Sequence, residues 1–574
     1  MTTGTEAAGK RSIGGALAVY GERRALVMLA LGFASGLPNL LIFDTLSAWL
    51  RDAGLSLEVI AFFSLATLAY SFKFLWAPLV DRTKVPGLTR WLGHRRSWML
   101  LCQGLIIIGL WLVAGGDPAA NLGLMAVFAI FVGFSSATQD IVIDAWRIEA
   151  APDAKQGAMA ASYQWGYRIA MITAGAAPLL LAEAYSWNFS YAVMAGLMAV
   201  GVAGVLAAPR EAQHAVRPIH ATGVPARPAL EIPEWLVRLA LVVLGALVLG
   251  SGLAGDATLL AQGLAGLGQT AAGEALKAGW TAKPWGVFWQ VAGVLVGAVI
   301  IFLAARPLPG VRTRPGVYLA AALGEPLKDF FARYQKLAGL ILATICLYRL
   351  SDFVLNIMNP FYLDLGFTKV EIAEVRKVFG VAMSMLGVGL GGFSVARLGL
   401  MRSLVIGAFA GPLSNLVFAW LATQGPELPA LFVAIGVDNV ASGYSGTCLI
   451  AYMSSLTSQG FTATQYALFS SLYSLPGKLL ASQSGRIVEA AAADADAGGV
   501  TAALKPLFAG APPETFAAAV AKSGVSAAGL GAGYLTFFLY SAAVGVVGVV
   551  LALLVAARQP EKAAAETEAA PEPS

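Results

Sequence analysis

The sequence predicts an all-α polytopic membrane protein: two six-helix bundles with two further helices inserted between them, fourteen transmembrane helices in all. Three observations carry that expectation: the composition, the length of the apolar runs, and where the basic residues fall. Of 574 residues, 58% are hydrophobic and 12% are charged, and the mean hydropathy is +0.72. A soluble domain carries about 25% charged residues, so the outer surface of this chain has to face lipid.

A bilayer core takes about 20 apolar residues per helix. Runs of that length lie at about 25–50, 58–80, 98–115, 121–144, 157–182 and 186–207. A second set lies at about 337–362, 371–396, 400–423, 428–452, 462–489 and 531–556, and two more runs, 234–255 and 284–305, separate the sets. The first run is too long for a signal-peptide core and ends without a small-residue cleavage site, so it reads as a retained helix.

Basic residues alternate along the chain as topology demands. Lys10, Arg11, Arg23 and Arg24 precede the first run, which places the N-terminus in the cytoplasm. Loop 81–97 then carries Arg82, Lys84, Arg90, Arg95 and Arg96 on the same side, and segment 306–336 carries Arg306, Arg312, Arg314, Lys328, Arg333 and Lys336. Connections 115–121, 182–187 and 424–429 hold no Lys or Arg and read as external. The net charge of +5 therefore follows membrane topology and does not imply a nucleic-acid partner. The resulting organisation is a cytoplasmic N-terminus 1–24, a first bundle 25–207, and a segment 208–336 of cytoplasmic linkers with the extra helices. A second bundle 337–556 follows, with a long periplasmic connection 490–530, and then a disordered cytoplasmic tail 557–574 rich in Ala, Glu and Pro.

Two six-helix halves resemble the layout of the major facilitator fold, whose substrate site lies near the midplane between the halves. Asp81-Arg82 at the end of the second run and Arg95-Arg96 before the third resemble that fold's loop motif. There, an acid and basic residues pair across the cytoplasmic gate; an ordinary positive-inside loop is the alternative.

Charge inside a membrane is expensive, about 2.5–3.5 kcal/mol per residue on insertion scales, which makes such residues functional candidates. The first half offers Asp44, Lys73, Asp140, Asp144 and Arg168; the second offers Arg349, Asp352, Asp438 and Lys478. Arg51, Arg147, Glu149 and Arg486 sit at run ends, where they can snorkel to the interface, and are set aside. Asp140 and Asp144 are four apart and share a helix face. Two carboxylates there repel, so one of them can exchange a proton near neutral pH. Pairing with Arg147, Arg168 or Lys73 to hold helices together is the other reading. Arg168 closes the run Tyr163-Gln164-Trp165-Gly166-Tyr167-Arg168, where a guanidinium fork suits a carboxylate. The rings of Tyr163, Trp165 and Tyr167 can stack on sugars or simply pack. Lys478 follows the break Pro476-Gly477, and Arg349 and Asp352, three apart, can pair internally or face the cavity.

These residues also carry a family resemblance. Gly32-Phe33-Ala34-Ser35-Gly36-Leu37-Pro38, Phe62-Phe63-Ser64-Leu65 and Lys73-Phe74-Leu75-Trp76-Ala77-Pro78-Leu79 resemble the AmpG muropeptide permease family. So does Ser136-Ala137-Thr138-Gln139-Asp140-Ile141-Val142-Ile143-Asp144-Ala145-Trp146, the most specific match. In the second half Leu347-Tyr348-Arg349-Leu350-Ser351-Asp352 and Phe461-Thr462-Ala463-Thr464-Gln465-Tyr466-Ala467-Leu468 are similar as well. The resemblance implies proton-driven import of GlcNAc-1,6-anhydroMurNAc peptides from periplasm to cytoplasm across the bacterial inner membrane, and a monomer is expected. The import serves peptidoglycan recycling and β-lactamase induction. It implies roles for Gln139, Asp140, Asp352, Asp438 and Lys478. The inserted pair departs from the pattern, in which extra helices follow the twelfth, and Asp44 sits where the pattern does not demand an acid.

Three cysteines (Cys102, Cys346 and Cys448) lie in apolar runs, and three histidines (His94, His214 and His220) lie in connections. Neither set has metal-ligand spacing, and no nucleophile–base arrangement argues for an enzyme. No cofactor is expected beyond the proton gradient. The competing readings are a facilitator for acetyl-CoA or another bulky anion, and a membrane sensor that binds without transporting.

Overall fold

The structure is a computed structural model of the chain. It describes residues 18–54, 70, 73–118, 120–210, 224–254, 256–282, 285–307, 310, 312–481, 484–517, 519–520 and 524–559. Every regular element among the described residues is helical. The first half comprises α1 (Arg23–Leu40, continued through a π-turn Leu41–Thr45 into Leu46–Asp52), α2 (Ala77–Arg82) and α3 (His94–Ala114). It continues with α4 (Leu122–Ala150), α5 (Asp153–Ala184) and α6 (Trp187–Leu197 with Ala199–Ala207). Between the halves lie α7 (Pro228–Ala254), α8 (Thr258–Gly266), α9 (Thr270–Thr281), α10 (Gly286–Ala305) and α11 (Arg314–Tyr334). The second half begins with α12 (Ala338–Leu347, a 3₁₀ turn Leu350–Asn356, Met358–Leu365) and α13 (Lys369–Glu374, a π-turn Val375–Phe379, Gly380–Leu398). It ends with α14 (Leu400–Gln424), α15 (Leu428–Ser455), α16 (Thr462–Ala481), α17 (Ser484–Asp496) and α18 (Ala527–Arg558).

Nine helical segments among the described residues are long and apolar enough to cross a bilayer. Most of the expected span 58–80 lies outside the description. Helices α5, α15 and α16 are long but are not among those nine, because buried polar side chains such as Gln156, Thr447 and Gln465 lower their hydropathy. Segment 306–336, expected as a plain linker, contains α11, and connection 490–530 contains the end of α17 and a 3₁₀ turn at Val500–Phe508.

Proline inside a helix removes the N–H that would bond the carbonyl four residues earlier. Lipid offers no replacement donor, so a neighbouring helix has to. Among the described residues the same solution recurs at three prolines. Pro38 in α1 frees the Ala34 carbonyl, which accepts from Gln139 Nε2 of α4 at 2.9 Å. Pro178 in α5 frees the Ala174 carbonyl, which accepts from Thr45 Oγ1 at 2.8 Å. Pro476 in α16 frees the Leu472 carbonyl, which the Cys346 thiol of α12 approaches at 3.8 Å. Helices α1 and α5 also cross backbone to backbone: a methyl on Gly32 would strike the Tyr163 carbonyl, and one on Gly166 the Leu29 carbonyl.

The halves meet along two seams, α2 and α4 against α16, and α5 against α13 and α15. The inserted helices α7 and α10 pack together at the flank of the first seam. There Leu249 and Ile301 rest against Phe74, Leu75 and Trp76, and α7 also touches α16.

Replacing Gln139 with Leu leaves the Ala34 carbonyl without its donor and should lower stability by about 1–3 kcal/mol. In a Pro38→Ala background the helix supplies its own N–H, so the same replacement should cost less. Thermal unfolding of the purified single and double variants measures the cycle, and additive effects would refute the exchange of donors.

Candidate functional site

Two regions bring the candidate residues together: a closed end of the bundle where the halves lock, and a polar interior between them.

At the closed end, α16 starts at Thr462 with the unpaired backbone N–H groups of any helix N-terminus. Asp81, the last acid of α2, fills that position. Its carboxylate accepts from Ala463 N at 3.2 Å, from Thr464 N at 2.9 Å and from Thr464 Oγ1 at 2.7 Å. Arg95 of α3 holds the same carboxylate at 2.8 Å and reaches Glu149 of α4 at 2.6 and 3.0 Å. The side chains of Asp81 and Arg95 are both completely buried. Breaking such a pair by removing one partner costs about 3–5 kcal/mol. The first half thus caps a helix of the second with a charged side chain that is itself locked in place.

Around this cap, Arg147 of α4 donates to Ser454 Oγ of α15 at 2.9 Å and lies 5.1 Å over the Tyr466 ring. Helix α11 then straps both halves. Arg82 donates to Glu325 at 2.9 Å, and Gln465 donates to Asp329 at 3.0 Å and to the Pro326 carbonyl at 2.9 Å. Ser458 also donates to Asp329, at 2.7 Å, and Arg333 reaches the Leu456 carbonyl at 3.0 Å. Partial burial disfavours the charge on Asp329, but donation from Ser458 and Gln465 and the neighbouring Arg333 outweigh it and hold its carboxyl below the usual range. A depressed acid stabilises the docked strap above its ordinary pKa, and that contribution is lost as pH falls through the depressed value.

Several expectations are corrected here. Arg96, expected at the gate, donates to the Val205 and Leu206 carbonyls of its own half. Arg147 and Glu149, set aside as snorkelling residues, lie in the lock: Arg147 is fully buried and Glu149 is the second anchor of Arg95. The Asp81–Arg95 pair does not itself cross between the halves; the crossing bonds run from Asp81 to α16. Arg147, Thr464, Glu325 and Asp329 escaped the sequence reading because nothing in their local spacing shows which distant segment they meet.

Along the second seam the first half donates to α13 and α15. Trp165 Nε1 bonds the Met385 carbonyl at 2.7 Å, and Tyr20, stacked on Trp165 at 5.2 Å between ring centres, bonds the Gly389 carbonyl at 3.0 Å. Gln164 reaches Thr447 Oγ1 at 3.2 Å. Trp165, a candidate sugar platform, is therefore engaged in holding the halves together.

In the interior, Asp140 accepts from Ser35 of α1, whose hydroxyl also meets Tyr163 OH at 2.7 Å. Asp140 forms no ion pair among the described residues. One turn on, Asp144 pairs with Arg147 at 3.3 Å and Lys73 at 3.8 Å. The two acids on one face thus sit in different surroundings, one among hydroxyls and one between cations. Tyr167 accepts from Asn39 at 2.7 Å, and its ring lies 6.1 Å from that of Tyr163. Gln139, expected to touch substrate, is fully buried on the Ala34 carbonyl and faces α1. In the second half Arg349 pairs with Asp352 and donates to Ser442 at 2.8 Å, while Asp438 accepts from Ser414 at 3.1 Å. Arg168 is part-buried and has no hydrogen bond or ion pair among the described residues, leaving its guanidinium available to a ligand anion. The side chains of Asp44 and Lys478 lie outside the described residues. Among the described residues no cluster of potential metal ligands occurs.

Asp81→Asn keeps the shape of the cap but removes its charge, so the closed end should open more often. Spin labels at the exposed positions Arg90 and Arg402, on opposite halves, should show a shift to longer distances by pulsed electron resonance. An unchanged distribution would show that the cap does not hold the end shut.

The family model described as Major Facilitator Superfamily matches residues 25–279. "Putative transporter AmpG 4" of Rickettsia felis is 29% identical over 473 residues, covering 82% of this chain and 91% of that protein. The "Anhydromuropeptide permease" of Escherichia coli K12 is 29% identical over 476 residues, covering 83% of this chain and 76% of that protein. Among solved structures, the proton:xylose symporter XylE bound to 6-bromo-6-deoxy-D-glucose aligns with a TM-score of 0.51 at 11% identity, covering 95% of this chain and 96% of that one, a likeness of fold. The helical architecture and its two halves thus form a membrane protein of the major facilitator fold, similar to the Major Facilitator Superfamily model over residues 25–279 and to AmpG permeases over most of its length.

Proposed function

We propose that this protein imports anhydro-muropeptides, GlcNAc-1,6-anhydroMurNAc peptides, from the periplasm to the cytoplasm for peptidoglycan recycling, driven by the proton gradient. The observation that carries the reading is similarity over four-fifths of the chain to an anhydromuropeptide permease, 29% identical over 476 residues. The interior supports it. A muropeptide presents sugar rings, amides and carboxylates, and the chain offers the uncommitted Arg168, the tyrosines 163 and 167, and the pair Arg349–Asp352.

In this reading Asp140 carries the proton. Bonded to the neutral Ser35 hydroxyl and free of an ion pair among the described residues, it can lose or gain charge without stranding a cation. Asp144, held by Lys73 and Arg147, fixes the basic residues around it. Asp352, paired with Arg349, and Asp438, bonded to Ser414, are further candidates for coupling in the second half. The end sealed by Asp81 and α11 is the cytoplasmic one, as its basic residues suggest, with both termini on that side. The protein works as a monomer in the inner membrane, and alternating access requires the Asp81 cap, the Trp165 and Tyr20 bonds and the α11 strap to release together when that end opens.

Proteoliposomes with acid outside should accumulate labelled anhydro-muropeptide, and excess acetyl-CoA should leave uptake unchanged; competition by acetyl-CoA would favour an acyl-carrier substrate. Asp140→Asn should abolish gradient-driven accumulation while leaving substrate binding measurable. Normal accumulation by that variant would remove Asp140 from the coupling role. Arg168→Ala should weaken uptake about tenfold or more, equivalent to ~1.4 kcal/mol or more of lost binding, at an undiminished protein level. A loss of uptake matched by a loss of protein would make Arg168 structural.

A further inference from the structure

The inserted helices form a cavity lined by their own residues alone. Helices α8 and α9 fold back against α7 and α10 at the end of the pair remote from α11. They enclose a space of about 470 Å³ lined throughout by apolar residues and glycines, Leu244, Leu264, Leu276, Trp280, Trp289 and Val296 among them. Water has no polar partner there, and an empty space of this size forfeits the dispersion contacts of its walls. Leu244, Trp289 and Val296 line the cavity and are also 47, 51 and 52% exposed on the outer face of the pair. The cavity is thus continuous with the lipid-facing surface of the transporter. Trp285 and Phe288 are each 64% exposed beside it, and Trp285, at the start of α10, is of the residue type enriched at the edge of a bilayer.

We propose that this cavity is a binding site for one acyl chain of a phospholipid, drawn from the leaflet opposite the α11 strap and held as a resident lipid. Its size falls within the ~300–1,000 Å³ of ordinary ligand clefts. Its walls are fixed at both ends of the pair. At the far end Trp280 Nε1 donates to the Ser251 carbonyl at 3.1 Å, and Gln290 to the Trp280 carbonyl at 3.1 Å. At the near end Arg238 clamps Glu234 at 2.6 Å and the Arg306 carbonyl at 2.8 Å, so α7 and α10 cannot slide together to close the space. The acyl chain completes the packing of a helix pair that rests on the flank of the α2–α16 seam.

Glycine supplies the test. A Cβ on Gly263 meets no atom within 4 Å, and Gly263 lines the cavity; a Cβ on Gly266, in the same helix, is equally unobstructed, but Gly266 is not part of the lining. Gly263→Phe therefore fills the site, and Gly266→Phe adds the same ring outside it. The full chain is placed in vesicles containing phosphatidylglycerol with a diazirine on its acyl chain, and cross-linked peptides are mapped after illumination. Labelling of residues 258–296 should saturate at low lipid fraction, fall several-fold in Gly263→Phe and persist in Gly266→Phe, while labelling of α18 rises in proportion to lipid fraction in all three. Labelling of 258–296 that is linear like that of α18, unchanged by Gly263→Phe, or lost equally in both variants would overturn the site and leave ordinary boundary lipid.

Discussion

A bilayer supplies no hydrogen bonds, and that constraint organises this protein more than any single contact. Each polar group withdrawn from water must find its partner inside the chain. Pro38, Pro178 and Pro476 each break a helix ladder, and each freed carbonyl meets a side chain from a neighbouring helix. The helix breaks thereby become tie points between helices. The same requirement acts at the N-terminus of α16, where Asp81 answers unpaired N–H groups and needs Arg95 and Glu149 to tolerate its own burial.

The gate follows from that chemistry. A capped helix end is directional: the donors belong to α16 in the second half and the acceptor to α2 in the first, so capping is also a contact between halves. Trp165 and Tyr20 add a second line of bonds four residues apart on α13, at the Met385 and Gly389 carbonyls. Because the acceptors are backbone groups, this seam makes few demands on side-chain identity in α13 and relies on small residues such as Gly389 for access.

The membrane class and the layered halves were legible in the sequence because lipid imposes a composition that local runs reveal. The intramembrane charges were legible for the same reason, since a Lys73 or an Asp144 among apolar neighbours stands out. Their partners were not. Arg147 looked like a residue reaching for the interface, yet Ser454 lies 307 positions away and only the fold brings it near. Gln139 stood beside Asp140 in a motif and was expected to touch substrate; one residue of helix rotation instead turns its amide to the carbonyl that Pro38 frees. Trp165 shows the complementary limit, because an aromatic that can stack on a sugar can also donate to a backbone carbonyl across a seam. Local spacing tells which residues are costly in lipid, and long-range packing decides what offsets the cost.

The position of α11 along the chain has a consequence for biogenesis. Its Glu325 meets Arg82, 243 residues upstream, whereas its Asp329 meets Gln465, 136 residues downstream. Chains fold from the N-terminus as they are synthesised, so the strap can dock on the finished first half while α16 does not yet exist. It would then present Asp329 and Arg333 as a waiting template. The two halves need not find one another as free bodies: the second is delivered to a surface already assembled to receive it, and the same helix that later restrains the closed end first serves to align the bundle's halves.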